Sequence, residues 1–338
     1  MKRWAFTLLL SVFSAFSCLL LLEFGLRYFY FRPWEEANLV GNPDHRMTKP
    51  YHDNVNADGI RSGIEADALR DEDFNVLFLG DSFVYGGRVM MGKTLPVQFE
   101  KQAQSAGYTG LHAINFGWVS SSPYLSERLL RDKGVKYKPD LVILMVDMTD
   151  IFDDRLYRNI AERQYAFAYG QYLPAITQFI SLTNQSIWQS DWLAQNAFGV
   201  PGRHYFIVER PLEETRPYFD ALMGNVDRIY AYSRDVLHVP FVLVIMPRHF
   251  QYDTRLAPDN WEKKQYPLHG PYLQEPFRYF SEIKSQKPYP VISLLKDFQQ
   301  TDVFPVTFAD DPHLNENGNA FAAGAILQHL GNLQLLPK

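Results

Sequence analysis

The 338-residue sequence contains a single cysteine, Cys18, which lies in an apolar stretch near the N-terminus. One cysteine excludes an intramolecular disulfide and a metal cluster held by thiolates. The nine histidines are scattered and do not show the spacing with cysteines or carboxylates that is typical of a metal site. A glycine-rich phosphate loop is also missing. We therefore expect neither a metal nor a cofactor.

An excess of basic residues is absent as well. The chain has 33 Lys and Arg against 38 Asp and Glu, a formal net charge of -5, which does not favour a nucleic-acid partner. No internal repeat or low-complexity segment is apparent. With 46% hydrophobic and 21% charged residues, the composition is that of a globular protein with a full core.

Charged residues are missing from Trp4 to Leu22, a run that follows Lys2 and Arg3. Roughly 20 apolar residues are needed to cross a bilayer. We predict an uncleaved signal anchor over residues 1–31; the alternatives are a cleaved signal peptide and a lipid attached to Cys18. Lys2 and Arg3 favour an N-terminus inside the cytoplasm, while Arg27 and Arg32 on the far flank oppose this orientation. We expect a single-pass protein of the cytoplasmic membrane with its catalytic domain outside the cytoplasm.

The remainder is interpreted as a stalk and lead-in over residues 32–73 and an α/β domain over 74–332, with an insertion at about 155–210. Short apolar runs bounded by charges and glycines alternate with helical patterns, which predicts a mostly parallel sheet. The expected fold is a three-layer α/β/α sandwich around five strands. The predicted strands are 74–80, 111–117, 139–146, 240–247 and 290–295.

Candidate catalytic residues lie where ligands bind in such sheets, beyond the carboxyl ends of the strands. Ser82, in the segment GDSFVYG, follows the first strand. A serine needs a base, and the base needs an orienting group. Asp310 and His313, in FADDPHLNENG, precede the last predicted helix and are expected to supply both. Asp311 is also acidic, but its side chain is expected to point elsewhere.

These segments resemble the SGNH/GDSL hydrolase family, over about residues 74–330. GDSFVYG is similar to the first family block, NFG (Asn115 to Gly117) to the second, and DDPHLNENG to the last. The anchor and the Asp-x-x-His-Leu-Asn ending are similar to the membrane-anchored bacterial branch found among cell-surface polysaccharide enzymes. The resemblance implies that the backbone N–H groups of Ser82 and Gly117 bind the oxyanion.

The third family block departs from this pattern. It usually reads Gly-x-Asn-Asp, and the Asn donates to the oxyanion, whereas this chain has Asp147-Met148-Thr149-Asp150. Thr149 therefore stands where the family has the third donor. Its hydroxyl is shorter than an Asn amide, and the Asp147 carboxylate would oppose an oxyanion. Losing one donor typically costs on the order of 10²–10³ in rate.

The resemblance implies a serine esterase that acts through an acyl-serine on an O-acylated surface glycan or a similar ester. Three alternatives stay open: an O-acyltransferase to a sugar hydroxyl, a lipid esterase, and a catalytically weak binding component of a polysaccharide assembly. Arg248 and His249 follow the fourth strand, where they either bind substrate or solvate a loop. Trp118 is interpreted either as a sugar-stacking residue or as part of the core.

Overall fold

The structure, a computed structural model, describes residues 2–31, 55–162, 204–253, 255, 259–260, 262 and 269–337. The tryptophan pair Trp188 and Trp192, most of the predicted insertion and the first half of the predicted stalk lie outside these residues. The chain divides into two units, and the catalytic candidates all belong to the one that comprises 44–158 and 203–338.

The N-terminal segment forms helix α1 (Lys2–Gly25), which continues as a π-helical turn over Leu26–Phe31. Within it, Phe6–Gly25 has a mean hydropathy of 2.1 and is long and apolar enough to cross a membrane. Its large apolar side chains are exposed, as the side chains of a lipid-facing helix would be. The N-terminal helix is thus the one that the sequence predicts.

Five parallel strands form the central sheet in the order β2-β1-β3-β4-β5. Nearly all of their side chains are buried, because helices cover both faces and the strands are apolar throughout. The predicted bounds of the first two strands match to the residue. The strands are β1 (Phe74–Gly80), β2 (Leu111–Gly117), β3 (Leu141–Val146), β4 (Phe241–Ile245) and β5 (Val291–Ser293).

The α-helices follow the expected alternation with the strands. They are α2 (Ser82–Tyr85), α3 (Leu95–Ser105), α4 (Pro123–Asp132), α5 (Asp150–Glu162), α6 (Phe206–Glu209), α7 (Leu212–Tyr232), α8 (His249–Tyr252), α9 (Glu275–Ile283), α10 (Leu295–Gln300) and α11 (Glu316–Asn332). Helices α3 and α11 pack on each other over one face of the sheet, while α4 packs on α7 over the other. The three-layer fold predicted from the sequence is confirmed.

Part of the predicted lead-in belongs to this domain. Asn56 donates to the Tyr137 hydroxyl at 2.7 Å, and Ile60 is fully buried. Arg61, only 5% exposed, donates to three backbone carbonyls, those of Tyr85, Gly86 and Val89. The described part of the lead-in, 55–73, therefore packs against the turn that follows β1.

Candidate active site

The turn after β1 places Ser82 at the carboxyl edge of the sheet. Gly80 has φ +156, and a Cβ there would lie 2.6 Å from the Val84 side chain and 2.9 Å from the Met145 carbonyl oxygen. Only glycine fits so close an approach. Asp81 then caps α2, because its carboxylate accepts from the Phe83 N–H at 2.9 Å. Ser82 is therefore the first residue of a short helix held at both ends.

His313 reaches this serine from the loop before α11. Its Nε2 lies 2.8 Å from Ser82 Oγ, and its ring packs 5.3 Å from the ring of Phe83. The loop is fixed from behind by Asn315, whose side chain accepts from the Gly318 N–H at 2.9 Å and caps α11. The predicted pairing of Ser82 with His313 is thus present in the structure.

The acid beside the histidine is Asp311, so the prediction of Asp310 as the orienting carboxylate is wrong. Asp311 Oδ1 lies 2.5 Å from His313 Nδ1 and also accepts from the His313 N–H at 2.9 Å. In this Asx-type turn, a carboxylate accepts from the backbone N–H of the residue two positions later. Asp311 stands two positions before His313 and forms this turn, whereas Asp310 stands three positions before it and does not. Asp311 leaves Nε2 free to accept the serine proton.

Asp310 instead forms an ion pair at the surface. Its side chain is 67% exposed, and its two oxygens accept from Arg88 at 2.9 and 3.3 Å. Arg88 also lies 3.6 Å from Asp311 Oδ2, so it joins the loop after Ser82 to the loop of His313. Partial burial favours a higher pKa for Asp311, but the bonds from His313 and the charge of Arg88 hold it below its usual range.

The predicted oxyanion residue Gly117 lies against the nucleophile helix. A Cβ at this position would come within 2.4 Å of the Tyr85 backbone nitrogen, so the end of β2 is closely packed on α2. Its N–H donates to Asn115 Oδ1 at 3.0 Å and is therefore engaged within the chain. Trp118, the next residue, is buried against the Tyr85 ring, as the core interpretation predicts.

Thr149, the third predicted oxyanion residue, is buried and bonded to Asp147. Its backbone N–H and its hydroxyl both donate to Asp147 Oδ1, each at 2.6 Å. Its hydroxyl oxygen also accepts from Arg248 Nη2 at 3.2 Å. The hydroxyl is thus held between a carboxylate and a guanidinium.

The sequence left two interpretations of Arg248, a residue that binds substrate or one that solvates a loop. The structure agrees with neither, because the side chain is buried. It is 4% exposed, and its guanidinium contacts Asp147 Oδ2 at 2.5 Å and Glu262 Oε1 at 2.7 Å. It also lies over the rings of Phe83 and Tyr205. The sequence could not reveal this, because the residues that Arg248 contacts are 14 to 165 positions away along the chain.

Two further buried carboxylates adjoin this ion pair, those of Asp81 and Asp150. Burial and the charge of Asp147 raise the pKa of Asp81 to about 7, and burial together with both neighbours raises the pKa of Asp150. Oxygens of Asp81, Asp147 and Asp150 lie within 4.8 Å of one another, close enough to share a cation. Both oxygens of Asp147 are already occupied by Thr149 and Arg248, so the guanidinium is the cation of this cluster.

No family model matches this chain, and no curated protein matches it. Solved structures with a similar fold include an acetylxylan esterase from Geobacillus stearothermophilus, at 14% identity and a TM-score of 0.45, over 78% of this chain and 96% of that one. A protein of Desulfitobacterium hafniense described as lipolytic and of the G-D-S-L family matches at 12% identity and a TM-score of 0.40, over 76% and 99%.

A gut microbial diltiazem-metabolizing enzyme matches at 12% identity and a TM-score of 0.44. That match covers 77% of this chain but only 47% of the enzyme. At such identities each of these proteins is similar to this chain in fold alone.

Proposed function

We propose that this protein is a membrane-anchored serine esterase of the SGNH type, which cleaves an O-acyl ester through an acyl-serine intermediate. The observation that carries the proposal is the chain of contacts from Asp311 through His313 to Ser82, at 2.5 and 2.8 Å. A serine hydroxyl at such a distance from an oriented imidazole is the arrangement of an activated nucleophile. The sequence motifs that resemble the SGNH/GDSL family support the same chemistry.

In the proposed reaction, Ser82 Oγ attacks the ester carbonyl carbon while His313 Nε2 takes the serine proton. Asp311 stabilises the imidazolium that forms, because it already accepts a hydrogen bond from Nδ1. Collapse of the tetrahedral intermediate breaks the bond to the alcohol oxygen, which receives the proton from His313. Water, deprotonated by the same nitrogen, then attacks the acyl carbon. The bond from that carbon to Ser82 Oγ breaks, Oγ takes the proton from His313, and the carboxylic acid leaves.

The proposed substrate is an acylated glycan at the cell surface, and the proposed location is the outer side of the cytoplasmic membrane. The apolar helix over Phe6–Gly25 and the positive charges of Lys2 and Arg3 support this placement. The resemblance of the motifs to those of membrane-anchored polysaccharide enzymes supports the substrate class. Transfer of the acyl group to a sugar hydroxyl would use the same acyl-serine.

The test is acetate release from p-nitrophenyl acetate by the full-length protein in detergent, beside Ser82→Ala and His313→Ala. We expect both variants to lose at least about 10³-fold in kcat/KM. A fluorophosphonate probe should label the native protein and leave Ser82→Ala unlabelled. The proposal would be refuted if the native protein showed no hydrolysis and no labelling above the level of Ser82→Ala. Labelling without hydrolysis, together with ester formation on an added oligosaccharide, would identify a transferase.

A further inference from the structure

The wall expected to bind the oxyanion carries a carboxylate and a hydroxyl where the resembled family has a glycine and an asparagine. Asp147 is 1% exposed and Thr149 is 7% exposed, so neither is screened by solvent. A buried negative charge there would raise the energy of an oxyanion formed on Ser82. The Thr149 hydroxyl, moreover, donates to Asp147 Oδ1. Something in the chain must counter both features for the proposed reaction to proceed.

One nitrogen of Arg248 contacts both of these residues. Nη2 lies 2.5 Å from Asp147 Oδ2 and 3.2 Å from Thr149 Oγ1. The other terminal nitrogen is fixed by Glu262 Oε1 at 2.7 Å, and the guanidinium carbon lies 4.9 Å from the centre of the Phe83 ring. Phe83 directly follows the nucleophile. The guanidinium is therefore held rigidly at the buried side of the wall.

We propose that Arg248 is the positioning residue of the oxyanion wall, neutralising Asp147 and polarising the Thr149 hydroxyl so that this hydroxyl serves as the oxyanion donor. The inference rests on the proposed function. Its chemistry is a rotation of one O–H bond, from Asp147 Oδ1 toward the oxyanion, with no covalent change. A hydroxyl that accepts a hydrogen bond from a cation is a stronger donor, because the cation draws electron density from its oxygen.

The rotation leaves Asp147 Oδ1 with another hydrogen bond. Asp147 Oδ1 keeps the Thr149 backbone N–H at 2.6 Å, and Asp147 Oδ2 keeps Arg248 at 2.5 Å. Thr149 Oγ1 keeps its bond from Arg248 Nη2. A buried polar group without a hydrogen bond would destabilise the protein. The second hydrogen bond to Asp147 Oδ1, from the Thr149 N–H, therefore allows the hydroxyl to turn away.

A double-mutant cycle tests the inference in the full-length protein. The variants are Arg248→Met, Asp147→Asn and the pair combined, with Arg234→Met as a control, since Arg234 is exposed and pairs with Asp235 beside it. We expect Arg248→Met to lower kcat for p-nitrophenyl acetate about 100-fold, with KM changed less than about threefold because ground-state binding is untouched. The double variant should have a kcat at least about tenfold higher than that of Arg248→Met, because the uncompensated charge of Asp147 is gone.

Arg248→Lys guards against a variant that fails to fold. A lysine reaches Asp147 as a point charge but lacks the second nitrogen that fixes the guanidinium on Glu262. We expect about a tenfold lower kcat at unchanged KM, with thermal unfolding close to that of the native protein. Native kcat in folded Arg248→Lys and Arg248→Met, or no recovery in the folded double variant, would overturn the inference. A native protein no more active than Ser82→Ala would instead refute the proposed function itself.

Discussion

His313 and Asp311 lie two residues apart in one loop, with side chains that are 29% and 25% exposed. The proposed oxyanion wall consists of Asp147, Thr149 and Arg248, which follow two neighbouring strands and are almost completely buried. The proposed acid–base wall, His313 and Asp311, thus depends on local turn chemistry, whereas the proposed oxyanion wall depends on charges that only the sheet brings together. The comparison teaches that the proposed site joins a proton relay of ordinary geometry to an unusual electrostatic wall.

The largest expected effect distinguishes the roles of the two adjacent carboxylates, Asp311 and Asp310. Asp311→Asn should lower kcat/KM by roughly 10³–10⁴, because the imidazole loses the carboxylate that orients it and stabilises its charge. Asp310→Asn, the matched control, should change it less than about tenfold, since that carboxylate is exposed and contacts Arg88. Ester hydrolysis by the two variants measures the difference. Equal losses would mean that the relay runs through both carboxylates.

On the oxyanion wall, the expected effect is smaller. Thr149→Val should lower kcat about 100-fold, because the methyl group fills the space of the hydroxyl without a proton to donate. Thr149→Ser keeps the donor and should stay within about threefold of the native protein. Thr215→Val, at another fully buried threonine in α7, is the control for burial alone. A Thr149→Val protein as active as Thr149→Ser would show that the wall does not need this hydroxyl.

Arg61 extends the comparison to the lead-in, which packs against the segment that follows Ser82. Its guanidinium donates to the carbonyl of Tyr85, the last residue of α2, at 2.8 Å and to that of Val89, in the following turn, at 2.7 Å. Arg61→Met should destabilise the protein by about 2–4 kcal/mol through unpaired buried carbonyls, and fluorophosphonate labelling of Ser82 should slow about tenfold as the turn loosens.

Arg70→Met is the matched control, because Arg70 lies in the same lead-in but is 65% exposed. Thermal unfolding and the labelling rate measure both variants. Loss of stability at unchanged labelling rate would limit Arg61 to a structural role.

The smallest expected effect is the pH dependence of the stability that Asp81, a neighbour of the oxyanion wall, contributes. Burial and Asp147 raise the pKa of Asp81 to about 7 in the folded protein, above its usual range near 4. The stability that this group contributes is therefore complete below about pH 4 and is lost as the pH rises through about 7. Asp81→Asn, which still accepts from the Phe83 N–H, should unfold at a relatively higher temperature as the pH increases from 5 to 8.

Melting temperatures of the native and Asp81→Asn proteins across this range test the expectation. A difference between the two that stays constant with pH would mean that Asp81 does not titrate there.

Much of the acid–base wall followed from the sequence, because its signals are local. The apolar run that ends at Gly80 predicted β1 and the position of Ser82, and the polar loop before the last helix predicted His313. The choice between Asp310 and Asp311 failed because it depends on how one turn folds its side chains.

Arg248 illustrates what sequence could not supply. Beside Pro247 and His249 in the primary sequence, it reads as the start of a loop, and nothing nearby indicates Asp147 or Glu262 as partners. Hydrophobic period and glycine placement act over a few residues, so the sequence by itself determined the strands, the parallel sheet and the apolar N-terminal helix. The motifs around Ser82 and His313, which resemble those of a known family, predicted that these two residues pair. The tertiary structure alone decided the burial of Arg248 and the support from Arg61, because those depend on strand order and on contacts between distant segments. It also decided the acid, because that choice depends on how the loop before α11 folds its side chains.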